Sequence, residues 1–386
     1  MTLLIDNKSS SPHTHVLLIG IGSYPYLKGG TQKKKLFAHH ENMGQLDSPP
    51  HSARRLADWF ANEFRNSLPL GSLAMLVSGG RREYLIGATK HTLEPATTAN
   101  AKAAIGGWAD RCDRNADNLA LFYFCGHGVA SGQEQSLLLQ DFGSDVNSPF
   151  QDAIAFAKFR TGMRRRAVKR QCFFIDACRS VSEEYLLTYG ADFTGLPMIS
   201  GGPTSAIPGT QSQAFFASEL GTAAYGVHGK ASIFTQGLLA ALNGLGASED
   251  EFGAWAVGTN RLAEAVNAHA LTQLVTTLPE QMCVPDGVAR TIPLHQLNGI
   301  PRVPVLVRCD PPAATPHADF RCLLRGQKEV AKGGAGTLPV WQTELLADQY
   351  DFRALFPSNP KPFQDGSVAG RSVQPPIARV AIPTPV

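Results

Sequence analysis

The amino-acid sequence predicts an α/β fold built on a mostly parallel sheet flanked by helices, followed by a small all-β domain. Four short runs are continuously apolar rather than alternating, which is typical of parallel strands covered on both faces. Helix-like segments lie between these runs, so strand and helix alternate along the chain. From about residue 284 onward, proline is frequent and helical periodicity disappears, which indicates a different architecture.

The predicted elements of the first part alternate in a regular order. The first helix has a credible start, because Pro49 and Pro50 follow Asp47 and Ser48. In chain order, the elements are the strand HVLLIGIG (15–22), the helix 49–64, the strand SLAMLVSG (72–79), the helix 98–112, the strand NLALFYFCGHG (118–128), the strand SLLLQDFG (136–143), the helix 149–170, the strand QCFFIDAC (171–178), the strand QAFFASEL (213–220), the helix 233–244 and a helix around 257–274.

The C-terminal part is predicted to be a separate β domain. Its short apolar runs are VPVLVRCD (303–310), DFRCLLRG (319–326) and YDFRALFP (350–357), and turn residues separate them. Short strands at such spacing favour a β-sandwich. We place the first domain at residues 12–290 and the second at residues 300–386, with a poorly ordered proline-rich tail.

Composition and charge exclude several classes of protein. A net charge of +3 is too small to indicate nucleic-acid binding by itself. The seven cysteines include no CxxC pair, so neither a disulfide framework nor a zinc knuckle is indicated, and free thiols favour the cytoplasm. No apolar run approaches the length of about 18 residues that a membrane helix needs. The N-terminal MTLLIDNKSSSPHTH lacks a signal-peptide pattern. We therefore expect neither a membrane nor a nucleic-acid partner.

Two of the predicted strands end in residues that carry chemistry. His127 follows one strand and Cys178 follows another, 51 residues later. Parallel sheets expose reactive groups at the carboxyl ends of their strands, so both side chains are expected at one edge. A lone cysteine after a strand is more often a small buried residue. A paired histidine reverses that reading, because an imidazole can accept the thiol proton and later protonate the leaving amine.

The glycines around the histidine predict an oxyanion hole. Gly126 and Gly128 let the backbone turn sharply and let a substrate approach closely. The backbone N–H groups of Gly128 and Cys178 are the expected donors to the oxyanion of a tetrahedral intermediate. Such donors typically contribute about 3 kcal/mol each to lowering the barrier.

The pair YFCGHG and FIDACRS resembles the catalytic motifs of the caspase-like cysteine peptidases (clan CD, the metacaspase and paracaspase type of peptidase C14, with bacterial relatives). The resemblance covers roughly residues 12–290 and implies a caspase-like three-layer fold and a protein or peptide substrate. Further segments that resemble the family are HVLLIGIGSYPYL, LDSPPHSARRLADWF, AFFASELGTAAYGVHGKASIFTQGLLAALN and PEQM.

The resemblance also implies specificity for a basic residue at P1. Asp176 matches the position at which metacaspases and paracaspases carry an aspartate that binds Arg or Lys. A carboxylate at the base of a pocket favours a guanidinium through paired hydrogen bonds, so Arg is expected before Lys. The alternative is that Asp176 only caps the turn after its strand.

One departure from the metacaspase pattern concerns the second acid of the P1 pocket. Metacaspases supply it from an N-D-x pattern in the first helix, whereas this chain has His51-Ser52-Ala53 there. Asp47, Glu219 and the pair Glu183-Glu184 are the candidates to replace it.

The segment from Ser180 to His228 contains no Lys or Arg, so an enzyme specific for basic residues cannot cut itself there. We therefore expect a chain that acts uncleaved and is switched on by a ligand or partner. Bacterial relatives suggest a nucleotide or other small-molecule activator at the C-terminal domain and a role in antiphage defence. No cofactor is expected, although some metacaspases need calcium. The alternatives are a non-catalytic caspase-fold receptor or scaffold, and an effector whose β domain senses a nucleotide.

Overall fold

The computed structural model describes residues 2–32, 43–131, 134–180, 194–199, 207–272, 281–287, 290–357 and 363–385. The chain divides into two compact units. Unit 1 comprises Met1–Leu239 and Thr276–Pro293, and unit 2 comprises Ala240–Val275 and Leu294–Val386. These two units are defined by compact packing, whereas the predicted boundaries at 12–290 and 300–386 delimit a family domain and an accessory domain. The predicted boundaries therefore stay predictions.

Helices and strands alternate through the first half of the chain, and strands dominate the last third. In the described ranges, no helix combines the length and the apolar character needed to cross a bilayer. The helices are α1 (Ser48–Asn62), α2 (Thr98–Cys112), α3 (Phe156–Met163), α4 (Ile233–Ala240) and α5 (Leu262–Thr272). The strands are β1 (Thr2–Asp6), β2 (Thr14–Ile21), β3 (Leu70–Ser78), β4 (Glu83–Ile86), β5 (Thr89–Thr92), β6 (Leu119–Cys125), β7 (Gly128–Ser131), β8 (Glu134–Leu138), β9 (Ala153–Ala155), β10 (Arg170–Asp176), β11 (Gln211–Phe216), β12 (Ala247–Glu249), β13 (Trp255–Gly258), β14 (Val284–Gly287), β15 (Pro293–Gln296), β16 (Arg302–Asp310), β17 (Asp319–Leu324), β18 (Lys328–Gly333), β19 (Trp341–Leu346), β20 (Asp348–Leu355), β21 (Gly366–Val373) and β22 (Ala378–Pro383).

The central sheet of unit 1 has seven strands in the order β1-β3-β2-β6-β10-β11-β14. Its five inner strands, from β3 to β11, pair in parallel. The edge strands β1 and β14 pair antiparallel to their neighbours. Parallel neighbours need crossover connections, and α1 and α2 supply the first two of them. The prediction of a mostly parallel sheet flanked by helices is therefore confirmed.

Helices cover both faces of the central sheet. Leu17 and Ile19 of β2 belong to the same apolar core as Trp108 of α2. Successive strand residues point to opposite faces, so Gly20 lies on the other side, against α1. A Cβ atom at Gly20 would be only 2.5 Å from the carbonyl oxygen of Pro49. The absence of a side chain at Gly20 thus lets the start of α1 approach the carboxyl edge of the sheet.

The single helix predicted over 149–170 is wrong. Its first residues form a 3₁₀ turn, Pro149–Asp152, and then the short strand β9 before α3 begins. Strand β9 pairs with β8, which pairs with β7 in a separate three-stranded sheet. The backbone groups of the buried β9 therefore form their hydrogen bonds by pairing with a strand. Because β9 is a strand, helix α3 begins later than the apolar residues of the sequence suggest.

Unit 2 contains the C-terminal sheets that the sequence predicts. They have the strand orders β19-β16-β22 and β18-β17-β20-β21. Phe320 of β17 stacks on Trp341 of β19, with ring centroids 5.6 Å apart, so side chains of the two sheets meet. The prediction of a poorly ordered tail is wrong, because β21 and β22 lie in it. Val380 and Ile382 of β22 are buried and alternate with exposed residues, as a strand with one buried face requires.

Candidate active site

The ends of β6 and β10 bring two reactive side chains to one edge of the central sheet. The strands are neighbours, and Asp176 at the end of β10 pairs in register with Cys125 at the end of β6. The chain continues from them into His127 and Cys178, and both residues line a cavity of about 340 Å³. The structure thus brings the two residues of the predicted dyad together.

Several contacts fix His127. Its backbone N–H donates to the Tyr24 hydroxyl over 2.8 Å, and the centroids of the two rings are 4.8 Å apart. Its Nε2 atom lies 2.8 Å from the carbonyl oxygen of Gly44. Because a carbonyl oxygen only accepts hydrogen bonds, Nε2 carries a proton and the neutral ring keeps its lone pair on Nδ1. The Nδ1 atom is therefore the one available as a base.

The Cys178 thiol contacts the backbone of Ala224. The Ala224 N–H donates to Sγ over 3.3 Å, and Sγ lies 3.7 Å from the Ala224 carbonyl oxygen. An N–H donor stabilises a thiolate, whereas the carbonyl oxygen accepts from the protonated thiol. The half-buried sulfur thus has an acceptor within reach of its thiol proton and already has a donor for the charge that develops on it.

Burial shifts the pKa of each member of the predicted dyad in the direction that favours its neutral form. It raises the pKa of the Cys178 thiol, and the charge of Asp176 acts in the same direction, while the Ala224 N–H opposes the shift. Burial lowers the pKa of His127, and the hydrogen bond to Gly44 opposes that shift. A protonated thiol beside a neutral imidazole must lose its proton during the attack. We therefore expect general-base catalysis rather than a preformed thiolate–imidazolium pair.

The neutral dyad predicts the pH dependence of catalysis and alkylation. The imidazole acts as a base only when it is unprotonated. Because its pKa is lowered, the ring becomes protonated only at a pH below 6.5. We expect kcat/KM to fall in acid with a midpoint below 6.5. We also expect the rate of Cys178 alkylation by iodoacetamide to keep rising beyond pH 9.0. Both profiles can be measured on one preparation, and an alkylation rate that levels off at neutral pH would indicate a preformed thiolate instead.

The predicted donors to the oxyanion lie in a tightly packed part of the chain. A Cβ atom at Gly128 would be 2.8 Å from the carbonyl oxygen of Cys178 and 2.9 Å from the Cβ of Ala177. The side-chain amide of Gln135 donates to the same Cys178 oxygen over 3.1 Å, and Gln135 is almost fully buried. These contacts fix the Cys178 peptide group. The binding of an oxyanion by the Gly128 and Cys178 N–H groups stays a prediction.

Asp176 forms part of the wall of the same cavity and is only 3% exposed. Its Oδ2 atom accepts hydrogen bonds from the hydroxyls of Tyr123 at 3.1 Å, Thr235 at 3.0 Å and Ser232. Burial raises the pKa of the Asp176 carboxyl, and these hydrogen bonds oppose the shift. The carboxyl is thus held in a fixed orientation beside the dyad by residues from β6 and from the start of α4.

Among the candidates for a second acid, Asp47 is the one that the structure places at the cavity. It accepts a hydrogen bond from the Gly229 N–H, and its carboxylate lies 3.3 Å from Nδ1 of His228. These contacts lower the pKa of Asp47. Glu219 is exposed and does not line the cavity, whereas Glu183 and Glu184 lie outside the described residues.

In the ranges that the structure describes, no group of three or more His, Cys, Asp or Glu side chains is arranged to hold a metal ion. The expectation of no cofactor stays a prediction, and the calcium alternative is for a cleavage assay to test.

Comparison with known proteins decides the family. The profile of the caspase domain, Peptidase_C14, matches residues 14–276, which is more than half of the chain and includes His127 and Cys178. The chain belongs to the caspase-domain peptidase family. An uncharacterized protein of Sinorhizobium fredii (strain NBRC 101917 / NGR234), y4kE, is 30% identical over 298 residues, which cover 74% of this chain and 83% of that protein.

Two solved structures are also similar to this caspase-domain protein, both at 12% identity. Protein GSU0716 of Geobacter sulfurreducens gives a TM-score of 0.44, and the match covers 72% of this chain and 94% of that one. Caspase-1 of Spodoptera frugiperda gives a TM-score of 0.40, and the match covers 74% of this chain and 92% of that one.

Sequence reasoning missed the residues that support the site in this caspase-domain protein. Tyr24, Gln135 and Ala224 hold the dyad, and Ser232 holds Asp176. Ser52, at the position where metacaspases carry an acid, accepts from the Ser232 N–H over 2.9 Å and so forms an outer layer around Asp176. These partners are far apart along the chain, so no local pattern marks them.

Proposed function

We propose that this protein is a cysteine endopeptidase that cleaves polypeptides after basic residues, Arg in preference to Lys. The observation that carries the proposal is the position of Asp176. Its buried carboxyl lies in the wall of the cavity that also contains His127 and Cys178. A negative group beside a nucleophile and a base selects a cationic side chain next to the bond that is attacked.

The proposed reaction proceeds through an acyl-enzyme. Nδ1 of His127 takes the thiol proton as Sγ of Cys178 attacks the scissile carbonyl carbon. The N–H groups of Gly128 and Cys178 donate to the resulting oxyanion. The imidazolium then protonates the leaving amine as the C–N bond breaks. A water molecule, deprotonated by the same imidazole, attacks the thioester, and the acid product leaves as the thiol regains its proton.

Two acids of different exposure serve the proposed P1 pocket. Asp176 is buried and Asp47 is exposed, and both line the cavity. A planar guanidinium forms paired hydrogen bonds with a carboxylate, whereas an ammonium is a more strongly hydrated point charge. This difference supports the preference for Arg over Lys.

The proposed mode of activation does not involve cleavage of the segment after the nucleophile, which contains no Lys or Arg from Ser180 to His228. The thiol contact with the Ala224 backbone supports a resting state in which part of the cavity wall covers the nucleophile. A ligand or partner that moves this wall is the proposed activator. A nucleotide signal, and a role in antiphage defence, stay predictions.

The test is a panel of fluorogenic peptides that differ only in P1, with Arg, Lys, citrulline, Asp or Asn. Each peptide is assayed with and without calcium and cell extract. We expect cleavage of the Arg peptide, slower cleavage of the Lys peptide and little of the others. Cleavage after Asp or Asn would retain the dyad and contradict the pocket. An Arg-based chloromethyl ketone that fails to label Cys178 in every condition would contradict the proposed activity itself.

A further inference from the structure

A second, larger cleft adjoins the candidate active site. It has a volume of about 790 Å³, within the range of about 300–1,000 Å³ that is typical of ligand sites. Gln45, Leu46 and Asp47 line both this cleft and the cavity of the dyad. A polypeptide that occupies the cavity can therefore continue directly into the cleft.

The far wall of the cleft is the β4–β5 hairpin, and α1 holds it in place. The guanidinium of Arg54 in α1 donates to the carbonyl oxygen of Glu83 over 2.9 Å and to that of Arg81. It also lies over the Tyr84 ring, 5.7 Å from the centroid. The Tyr84 hydroxyl donates to Asp58 of α1 over 2.6 Å. These contacts make the hairpin a preformed wall rather than a loop that must order on binding.

The hairpin wall carries more positive than negative charge. Arg54, Arg81 and Lys90 line the cleft there, against the single carboxylate of Glu83. Glu83 is shared between two of these cations, at 2.5 Å from Lys90 and 3.7 Å from Arg81. The Arg81 side chain is 85% exposed and that of Lys90 is 60% exposed, so both can reach a ligand in the cleft.

The part of the cleft that adjoins the cavity of the dyad carries an acid. Asp47 lies where the cleft meets the cavity of the dyad, and its neighbours are His51 and His228. A bound chain would therefore meet acidic groups near the nucleophile and cationic groups farther away. Charges arranged in this way select a partner by complementary charge and fix its direction.

We propose that the cleft between α1 and the β4–β5 hairpin binds an acidic stretch of the substrate polypeptide. The enzyme would then select proteins that combine a basic P1 residue with Glu or Asp residues a short distance away. This inference rests on the proposed function, because it takes the adjoining cavity as the place where the peptide bond is cleaved.

The test compares matched extended peptides. Each contains one P1 Arg and three Glu residues, placed on either the N-terminal or the C-terminal side, and its control carries three Gln residues instead. We expect the Glu peptide to have a kcat/KM about 10-fold higher than its Gln control on one side of the cleaved bond, and the ratio to decline as salt is added. Equal values on both sides would overturn the inference.

Two variants assign the effect to the hairpin. The double variant Arg81→Glu/Lys90→Glu is expected to reverse the preference, so that the Glu peptide becomes the poorer substrate. The variant Glu83→Gln removes the opposing carboxylate and is expected to increase the preference. A short P1 Arg substrate that does not reach the cleft is expected to be cleaved at the wild-type rate by both. A preference that survives in the double variant would place the acidic segment elsewhere.

A binding measurement separates this inference from the proposed function. A fluorescent Glu-containing peptide and its Gln control are titrated by anisotropy against the Cys178→Ala protein, which needs no turnover. Tighter binding of the Glu peptide that is lost in the hairpin variants supports the cleft even if no peptide is cleaved. Cleavage of the short substrate with equal binding of the two peptides overturns the cleft and leaves the proposed peptidase intact.

Discussion

We expect the replacement of Cys178 by alanine to abolish the proposed cleavage of P1 Arg peptides, with a fall in kcat/KM of about 10⁴-fold or more. The thioester bond of the acyl-enzyme cannot form without Sγ, and removing one member of a nucleophile–base pair costs nearly as much as removing the whole group. The loss should appear in kcat, because the pocket that binds P1 is retained. Steady-state kinetics with the Arg peptide measure the effect.

The matched control is Cys172→Ala, which removes a sulfur atom from β10, the strand that precedes the nucleophile. Cys172 is fully buried in β10 and does not line the cavity of the dyad, so we expect no nucleophilic role for it. We expect it to retain activity. If Cys178→Ala and the wild type perform every measured activity equally, the non-catalytic receptor or scaffold becomes the better explanation of the chain.

Parts of the fold with local signals could be predicted from the sequence. Helix α2 has the predicted bounds 98–112, and Thr97 accepts the Asn100 N–H over 3.2 Å as an N-terminal cap. The helix predicted over 149–170 failed because β9 gains its stability from β8, which a local pattern does not show. Strand β22 was missed for the same reason, since it pairs with β16 from a distant part of the chain.

The same distinction between local signals and distant partners applies to the candidate site. His127 and Cys178 could be found because each follows an apolar strand directly, and neighbouring parallel strands align their ends. The hydroxyls around Asp176 could not be predicted from the sequence. Ser232 and Thr235 are ordinary polar residues in a segment that lies more than fifty residues after Asp176. The choice of Asp47 over Glu219 also depended on the folded path of the chain near the start of α1.

The variant Asp176→Asn tests the P1 pocket while leaving the dyad in place. Removing one partner of a buried charge-assisted pair costs about 2–5 kcal/mol, which corresponds to a fall in kcat/KM of about 30- to 4,000-fold for the Arg peptide. The citrulline peptide has the shape of Arg without its charge, and we expect its kcat/KM to change little. The ratio of the two substrates in both proteins isolates the charge interaction.

The stability of the Asp176→Asn protein separates loss of binding from loss of fold. Burial raises the pKa of Asp176 in the folded protein, so the ionised carboxyl opposes folding increasingly as pH rises above its ordinary value near 3.8. A neutral side chain at this position avoids that cost, and its oxygen can still accept from Thr235 or Ser232. We therefore expect a Tm near that of the wild type at neutral pH.

A second control uses Glu219→Gln, which removes an acid that lies off the cavity and should leave the Arg preference unchanged. Three results together would support the assignment: a large loss with Asp176→Asn for Arg, little change for citrulline, and no effect of Glu219→Gln. If Arg and citrulline lose equal activity while Tm is retained, Asp176 would be a positioning residue for Cys178 rather than the group that selects the substrate. That outcome would leave the assignment of the dyad unchanged and make Asp47 the group that selects the P1 residue.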